Sequence, residues 1–437
     1  MRSNCYTSTF NTDQGIGLQT SPNTQTTDRD ETTAAAAKMK LRDREVNPIL
    51  FAIFFASTLV AVACGHPPPG RGAGEVETTA QQPAQGQTTQ QGSVSFRVET
   101  VVGNLAVPWS IVWAPDGRMF FTERAGRVRV YESGKLRPAP LLTVDDVEQT
   151  GESGLMSLAL HPQFASNHLL YLSYAYKGDG QRVRVVRYKE TSTGVVERKV
   201  IVENIPAAQY HAGCRLRFGA DGKLYITTGD ATKRALAQQL DSLAGKTLRL
   251  NDDGTVPPDN PFVGQANARP EIWSYGHRNA QGLDFQPSTN LMFQTEHGPS
   301  TFDGPGGGDE VNIVEKGKNY GWPVIHHRET GSGMESPLLE YTPACAPASG
   351  AFYRGTVFPQ FSGNYFFGCL KGERLIRVVL NGRQVVTQEN LLEGKYGRIR
   401  DVAEGPDGFL YFSTSNKDGR GTPASDDDRI IRLVPAK

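Results

Sequence analysis

Eight histidines are scattered along the chain, and His211 stands in company that could do chemistry. It precedes Gly213 and two spaced arginines, Arg215 and Arg217, in "HAGCRLRFGADGKLYITTGD". An imidazole titrates near working pH and suits a general base. Taken alone, however, the residue reads as readily as packing or as a metal ligand. In "SYGHRNAQGLDFQP", Arg278 and Asn279 lie side by side in a glycine-flanked loop. One is a fixed cation with a planar donor fork; the other both donates and accepts. The stretch "TEHGPSTFDGPGGGDEVNIVEKGKNYGWP" follows at 295–323. Its Gly298 and Pro299 offer backbone carbonyls and its Asp309 and Glu310 offer carboxylates. Such oxygens are what a calcium ion takes, although no regular DxDxD spacing is present. Lys371 in "CLKGERLIRV" is a further cation. Arg398 and Arg400 in "YGRIRDV" lie two apart on an extended run and so project to one face. Together these three could bind several carboxylates or phosphates. By themselves they read equally as a solvated charge ladder on an outer strand.

Groups so far apart in sequence need a scaffold that gathers loops. From Ser93 onward the chain consists of short β-type runs separated by turns. One pattern recurs, a turn of "PDG" type followed by an aromatic-rich strand and polar residues. Its copies fall at 114–131, 161–176, 219–230, 286–299, 358–378 and 405–416. Six units of about 57 residues each allow one four-stranded blade plus a long loop. No sustained 3.6-residue apolar period appears, apart from a turn or two around "KRALAQQLDSL" at 233–243. The prediction is an all-β fold, a six-bladed β-propeller of four-stranded antiparallel blades over 93–437. Two successive barrels or sandwiches explain the even recurrence less well. The loops at the mouth of the central channel are where polar function collects.

Composition supports a globular protein with a sizeable core. The 437 residues carry 46 basic and 46 acidic side chains, which argues against a generally basic nucleic-acid binder. Five cysteines and no CxxC pair exclude a disulfide scaffold, although a Cys345–Cys369 bridge is open to an exported chain. Residues 1–38 form a polar leader, and Met39 makes a better start than Met1. Residues 39–64 read as a secretory signal: "KMKLRDR" supplies the basic flank and "NPILFAIFFASTLVAVA" the short apolar core. The run "AVAC" is a near match to a bacterial lipobox, with Cys64 as the lipidated residue and Ala61 where leucine is usual. Residues 65–92 are a flexible linker by composition. The chain is expected to be exported, to the periplasm or cell envelope, with a lipid anchor at Cys64.

The motifs in order resemble the soluble pyrroloquinoline-quinone-dependent sugar dehydrogenases, the glucose and aldose sugar dehydrogenase family of six-bladed propellers. The matching words are "GESGLMSLALHPQF", "HAGCRLRFGADGKLYITTGD", "LAGKTLRLNDDGTVPPDNPF", "YGHRNAQGLDF", "EHGP", "GGGDEVNIVEKGKNYGWP", the "LK" at 370–371 and "GRIRDV". They span about residues 95–434, and the compact spacing resembles the aldose sugar dehydrogenase branch. The resemblance implies that His211 removes the proton from the anomeric hydroxyl. It implies that Arg278 stabilises charge at the quinone and that Asn279 holds the cofactor. It places a Ca²⁺ on the carbonyls of Gly298 and Pro299. It pairs Lys371, Arg398 and Arg400 with the carboxylates of pyrroloquinoline quinone. Two departures stand out: Glu152 where the family usually carries glutamine, at the cofactor site, and Cys214 where glycine is usual. The loop after "EHGP" also carries extra residues.

The reaction so implied is oxidation of an aldose to a lactone, with electrons passing to a cytochrome or a quinone. Two readings compete with it. A non-catalytic propeller serving as a binding module would need neither the base nor the arginines. A calcium-dependent lactone hydrolase would use carboxylate and asparagine ligands deep in the channel, where a basic cradle is out of place.

Overall fold

The computed structural model describes residues 94–436. The leader, the signal and lipobox with Cys64, and the linker at 65–92 lie outside the described residues. Six antiparallel sheets follow one another around a central axis, as the recurrence predicts. Blade 2 shows the plan: Leu155–Leu160 is innermost, followed outward by Leu169–Gly178, Gly180–Thr191 and Gly194–Pro206. Blades 3, 4 and 5 repeat it, with innermost strands Leu216–Phe218, Ala280–Phe285 and Pro347–Phe352. Blade 1 begins at Pro108–Trp113 and adds the short Leu142–Thr143 beside Arg127–Glu132.

Blade 6 closes the ring. Its strands Ile399–Glu404, Leu410–Thr414 and Ile430–Pro435 come from the C-terminal part of the chain, and Phe96–Val102 adds the outermost strand. Pairing runs from Phe96 opposite Pro435 to Val102 opposite Ile430, with one irregularity. The two ends of the described chain are thereby zipped into one sheet, which leaves only short, protected edges.

Each of the six recurring words falls on the second strand of a different blade: Met119–Glu123, Leu169–Gly178, Leu224–Thr227, Met292–Glu296, Tyr365–Cys369 and Leu410–Thr414. These strands are buried along almost their whole length because each blade is covered on both faces by its neighbours. That is why they read as aromatic and aliphatic runs with little alternation. Between blades 5 and 6, Phe361, Phe366, Phe412 and Ile431 are completely buried against one another. Between blades 4 and 5, Phe293, Phe352 and Tyr365 pack ring on ring with centroids 4.9–5.5 Å apart. The predicted helical turn at 233–243 is a 3-10 turn, Arg234–Gln238.

Cys345 and Cys369 lie in the core of blades 4 and 5 as free, buried thiols. The bridge considered from the sequence is absent, and a hydrogen bond between the two thiols pushes that of Cys345 up, burial adding to the effect.

Candidate active site at the channel mouth

An innermost strand begins where the second strand of the same blade ends, because the two are antiparallel. Loops that enter innermost strands and loops that leave second strands therefore emerge at one end of the propeller. Glu152, His211, Arg278 and Arg398 stand just before innermost strands; His297–Pro299, Lys371 and Arg420 follow second strands. All of them line one cavity of about 730 Å³, together with Tyr210, Phe302, Asp309 and Leu370. The turns of the recurring words lie at the opposite end, around a more apolar opening lined by Ile111, Trp113, Leu158, Leu216 and Phe218.

His211 is 4% exposed and its Nδ1 lies 2.7 Å from Asp230 Oδ1. A carboxylate accepts, so the ring proton sits on Nδ1 and the Nε2 lone pair is left free to accept a proton. Asp230 is itself held by the backbone N–H of Thr232 and the indole N–H of Trp322, each at 2.8 Å. The histidine backbone adopts a left-handed φ of +57°, a conformation L residues rarely take and one that clusters at functional sites. Gly229 makes room for it, since a Cβ there would lie 1.9 Å from the His211 carbonyl oxygen. Asp230 was not singled out from sequence. Its signal was present: it closely follows the second strand, Leu224–Thr227, of the blade whose innermost strand His211 precedes.

The Arg278 guanidinium donates to both Asp303 carboxylate oxygens, at 2.9 and 3.3 Å, and to the His297 carbonyl at 3.1 Å. Its backbone N–H donates to Glu296, which also holds His277 Nδ1 at 2.9 Å. Asn279 is fully buried. It donates to Glu152 at 3.3 Å and accepts from Gly213 N–H at 3.2 Å. It thus meets the cavity through Glu152 rather than lining it.

Glu152 pairs with Arg420 at 3.1 Å, an arginine that the sequence reading passed over. Burial works against its ionisation, but the neighbouring His297, Arg420, His211 and Arg400 side chains override it and hold the carboxyl at about 2. Burial also pushes His297 down to about 3.

Arg398 is tied to Asp418 at 2.8 Å and to the Leu370 carbonyl at 3.0 Å. Arg400 Nη1 donates to Gln281 Oε1 at 3.0 Å. Its Nε is buried without a hydrogen-bond partner, and burial lowers its pKa to about 10. Both arginines are buried and line a recess with Glu152 and Arg420, so the outer charge ladder is excluded. Lys371 is exposed on the same rim, and neither it nor Arg400 pairs with a carboxylate among the described residues. His297 Nε2 is likewise buried and unpartnered. Orphaned donors and unpaired cations on a cavity floor call for a bound anion.

Gly298 donates its N–H to Asp309 Oδ1 at 2.8 Å. The Pro299 carbonyl accepts a long bond, 3.3 Å, from Gly307 N–H across the enlarged loop. Among the described residues no three His, Cys, Asp or Glu side chains converge as a metal cluster. An ion at this place would therefore rest chiefly on main-chain oxygens. Cys214 is a buried core residue whose carbonyl accepts from Ser173 Oγ at 2.9 Å. Arg215 passes into the channel, 3.2 Å from Asp401 and 4.3 Å above the Trp109 ring. Arg217 sits at the far end beside Asp284.

The fold and this site define a propeller enzyme that gathers a carboxylate-fixed histidine and a cationic floor at one channel mouth. Residues 105–431 match the family model for glucose/sorbosone dehydrogenase, and the chain belongs to that family of oxidoreductases. The aldose sugar dehydrogenase YliI of Escherichia coli (strain K12) is 38% identical over 345 residues, covering 74% of this chain and 91% of that protein. The crystal structure of the soluble aldose sugar dehydrogenase from Escherichia coli in the apo-form is 35% identical. It covers 78% of this chain and all of that one, with a TM-score of 0.72. The pyrroloquinoline-quinone-bound aldose sugar dehydrogenase of Streptomyces coelicolor is 33% identical, covers 78% and 99%, and has a TM-score of 0.68.

Proposed function

We propose that this protein oxidises aldose sugars at the anomeric carbon, giving the lactone, with pyrroloquinoline quinone as redox cofactor and Ca²⁺ beside it. The observation that carries the reading is the juxtaposition of a base and an anion cradle. His211, fixed by Asp230, lines one cavity with Lys371 and Arg398, and Arg398 also lines the adjoining recess that holds Arg400 with its unpartnered Nε. A non-catalytic binding module has no use for a carboxylate-fixed histidine, and a hydrolase has no use for that cradle.

His211 Nε2 takes the proton of the anomeric hydroxyl, and Asp230 stabilises the imidazolium that forms. Arg278, held in place by Asp303 and the His297 carbonyl, presents positive charge where negative charge develops. Lys371, Arg398 and Arg400 neutralise the carboxylates of the cofactor, and Glu152 and Asn279 close the floor. Pyrroloquinoline quinone, when bound, supplies the acceptor for the hydride leaving the same carbon. The carbonyls of Gly298 and Pro299 would be the donors for Ca²⁺, which would supply positive charge beside the cofactor. Electrons then leave to a cytochrome or a quinone. We place the enzyme in the periplasm or cell envelope, with Cys64 as its lipid anchor.

The test is reconstitution. Purified protein given pyrroloquinoline quinone and Ca²⁺ is expected to show a cofactor absorbance change and glucose-dependent reduction of an artificial dye. Chelation of Ca²⁺ should abolish both. His211→Gln should retain the absorbance change and lose turnover by about 10²- to 10⁴-fold. Dye reduction absent with several aldoses, together with no absorbance change, overturns the reading.

A further inference from the structure

Phe302 is 63% exposed, and the other large hydrophobic side chains as exposed as a third or more among the described residues are valines. Its position is not that of a stray surface residue. It lines the same cavity as His211 and Arg278. Its ring lies at 28° to the His211 imidazole, with centroids 5.8 Å apart, and 6.0 Å from the Arg278 guanidinium carbon. The loop that carries it is anchored on both sides of the ring. Asp303 grips Arg278 at 2.9 Å, receives the Ser300 N–H at 2.7 Å, and offers its carbonyl to Arg234 at 3.2 Å. Beyond Phe302, Gly308 N–H binds Thr342 Oγ1 at 2.9 Å. The ring is thus held next to the base while leaving most of its surface to the cavity.

A rigid apolar face beside a proton acceptor, with Glu152, Tyr210 and Arg420 elsewhere on the cavity wall, is the arrangement that binds a molecule with one apolar face and a polar rim. A pyranose ring has that character: its C–H face stacks on an aromatic ring while its hydroxyls seek charged and polar partners. We infer that Phe302 is the stacking platform for the sugar ring, a specificity-determining residue that selects pyranoses and leaves cofactor binding to the cationic floor. The inference rests on the aldose dehydrogenase reading for its substrate class, but its test does not depend on turnover.

The first measurement is saturation-transfer NMR of methyl β-D-glucopyranoside, which has no free anomeric hydroxyl to oxidise, with the purified full-length protein. Transfer to the C–H protons of the glycoside is expected in the unaltered protein and in Phe302→Tyr, and is expected to fall at least about threefold in Phe302→Ala. The variants sit on an exposed side chain, so folding is not at issue, and circular dichroism checks it. In reconstituted enzyme, Phe302→Ala should raise KM for glucose roughly 3- to 10-fold with kcat within about twofold. The kcat is spared because Asp230, not Phe302, fixes His211. The pyrroloquinoline quinone absorbance titration should be unchanged. Equal transfer in Phe302→Ala and the unaltered protein overturns the inference, as does a loss that falls on the cofactor titration instead. Transfer that depends on Phe302 in a protein that neither reduces dye with any aldose nor shows the cofactor absorbance change upholds the platform and overturns the dehydrogenase reading.

Discussion

At the scale of the residue, Asp230 decides what His211 can do. With its carboxylate 2.7 Å from Nδ1, the ring can only offer Nε2 as acceptor. Asp230→Asn presents either an amide donor or a weaker acceptor and loses control of the tautomer. It is expected to lower kcat by about 10²-fold or more while the pyrroloquinoline quinone titration is unchanged; stopped-flow dye reduction measures the first and absorbance the second. Glu152 gives a prediction of opposite sign for binding. It places a half-buried negative charge in the site proposed for an anionic cofactor, so Glu152→Gln should tighten the cofactor by roughly 3- to 10-fold, read from the same titration. Its effect on folding also has a definite pH window. The carboxyl stands at about 2 in the folded protein against an ordinary value of 4.5. The stability it contributes is complete above about pH 4.5 and is lost as pH falls toward 2. The unfolding temperature of the unaltered protein should therefore fall more steeply over that range than that of Glu152→Gln.

At the scale of the element, the loops entering blades 3 and 4 are braced by a single buried cation. Lys246 is completely buried, and its ammonium donates to the carbonyls of Leu236, Ala237 and Ala244 at 2.7–3.0 Å. These bonds fasten the 3-10 turn at Arg234–Gln238 against Gly245. Gly245 in turn donates to the Gly229 carbonyl beside His211 and accepts from His277 N–H. Lys246→Met keeps the volume but leaves the Ala244 carbonyl without a donor, while Leu236 and Ala237 still accept from the Gln239 and Gly276 N–H groups, and it should cost about 1–3 kcal/mol in urea unfolding. This role was not legible in one dimension, because a lysine in "LAGKTLRL" reads as a solvated side chain on a strand. The blade words, by contrast, were legible. A second strand covered on both faces must be apolar along its length, so the same texture recurs in every blade and marks the period.

At the scale of the whole molecule, closure and charge are the two global facts. The Phe96–Val102 strand is separated from its partner Ile430–Pro435 by the entire ring. Shortening the chain to begin at Gly103 leaves the Ile430–Pro435 edge bare. It should lower the unfolding temperature and broaden the transition, as scanning calorimetry would show. The chain carries no net charge, yet unpaired cations collect at one mouth, where they would draw in an anionic cofactor. The rate of reconstitution with pyrroloquinoline quinone should accordingly fall as salt is raised from about 0.01 to 0.5 M, with little change in the dye-reduction rate of the assembled enzyme.

The sequence by itself determined the architecture and offered part of the list of chemically competent residues. Apolar periodicity is a local property, and the order of the motif words survives in one dimension. It could not decide between a charge ladder and a cradle for Arg398 and Arg400, because extended spacing puts both on one face without saying what that face meets. Nor could it show that Glu152 finds Arg420, that Asp230 fixes His211, or that the enlarged loop brings Phe302 to the base. Those partners lie 268, 19 and 91 positions apart. Only the ring of blades, which turns the ends of strands remote in sequence into one rim, brings them within contact of one another.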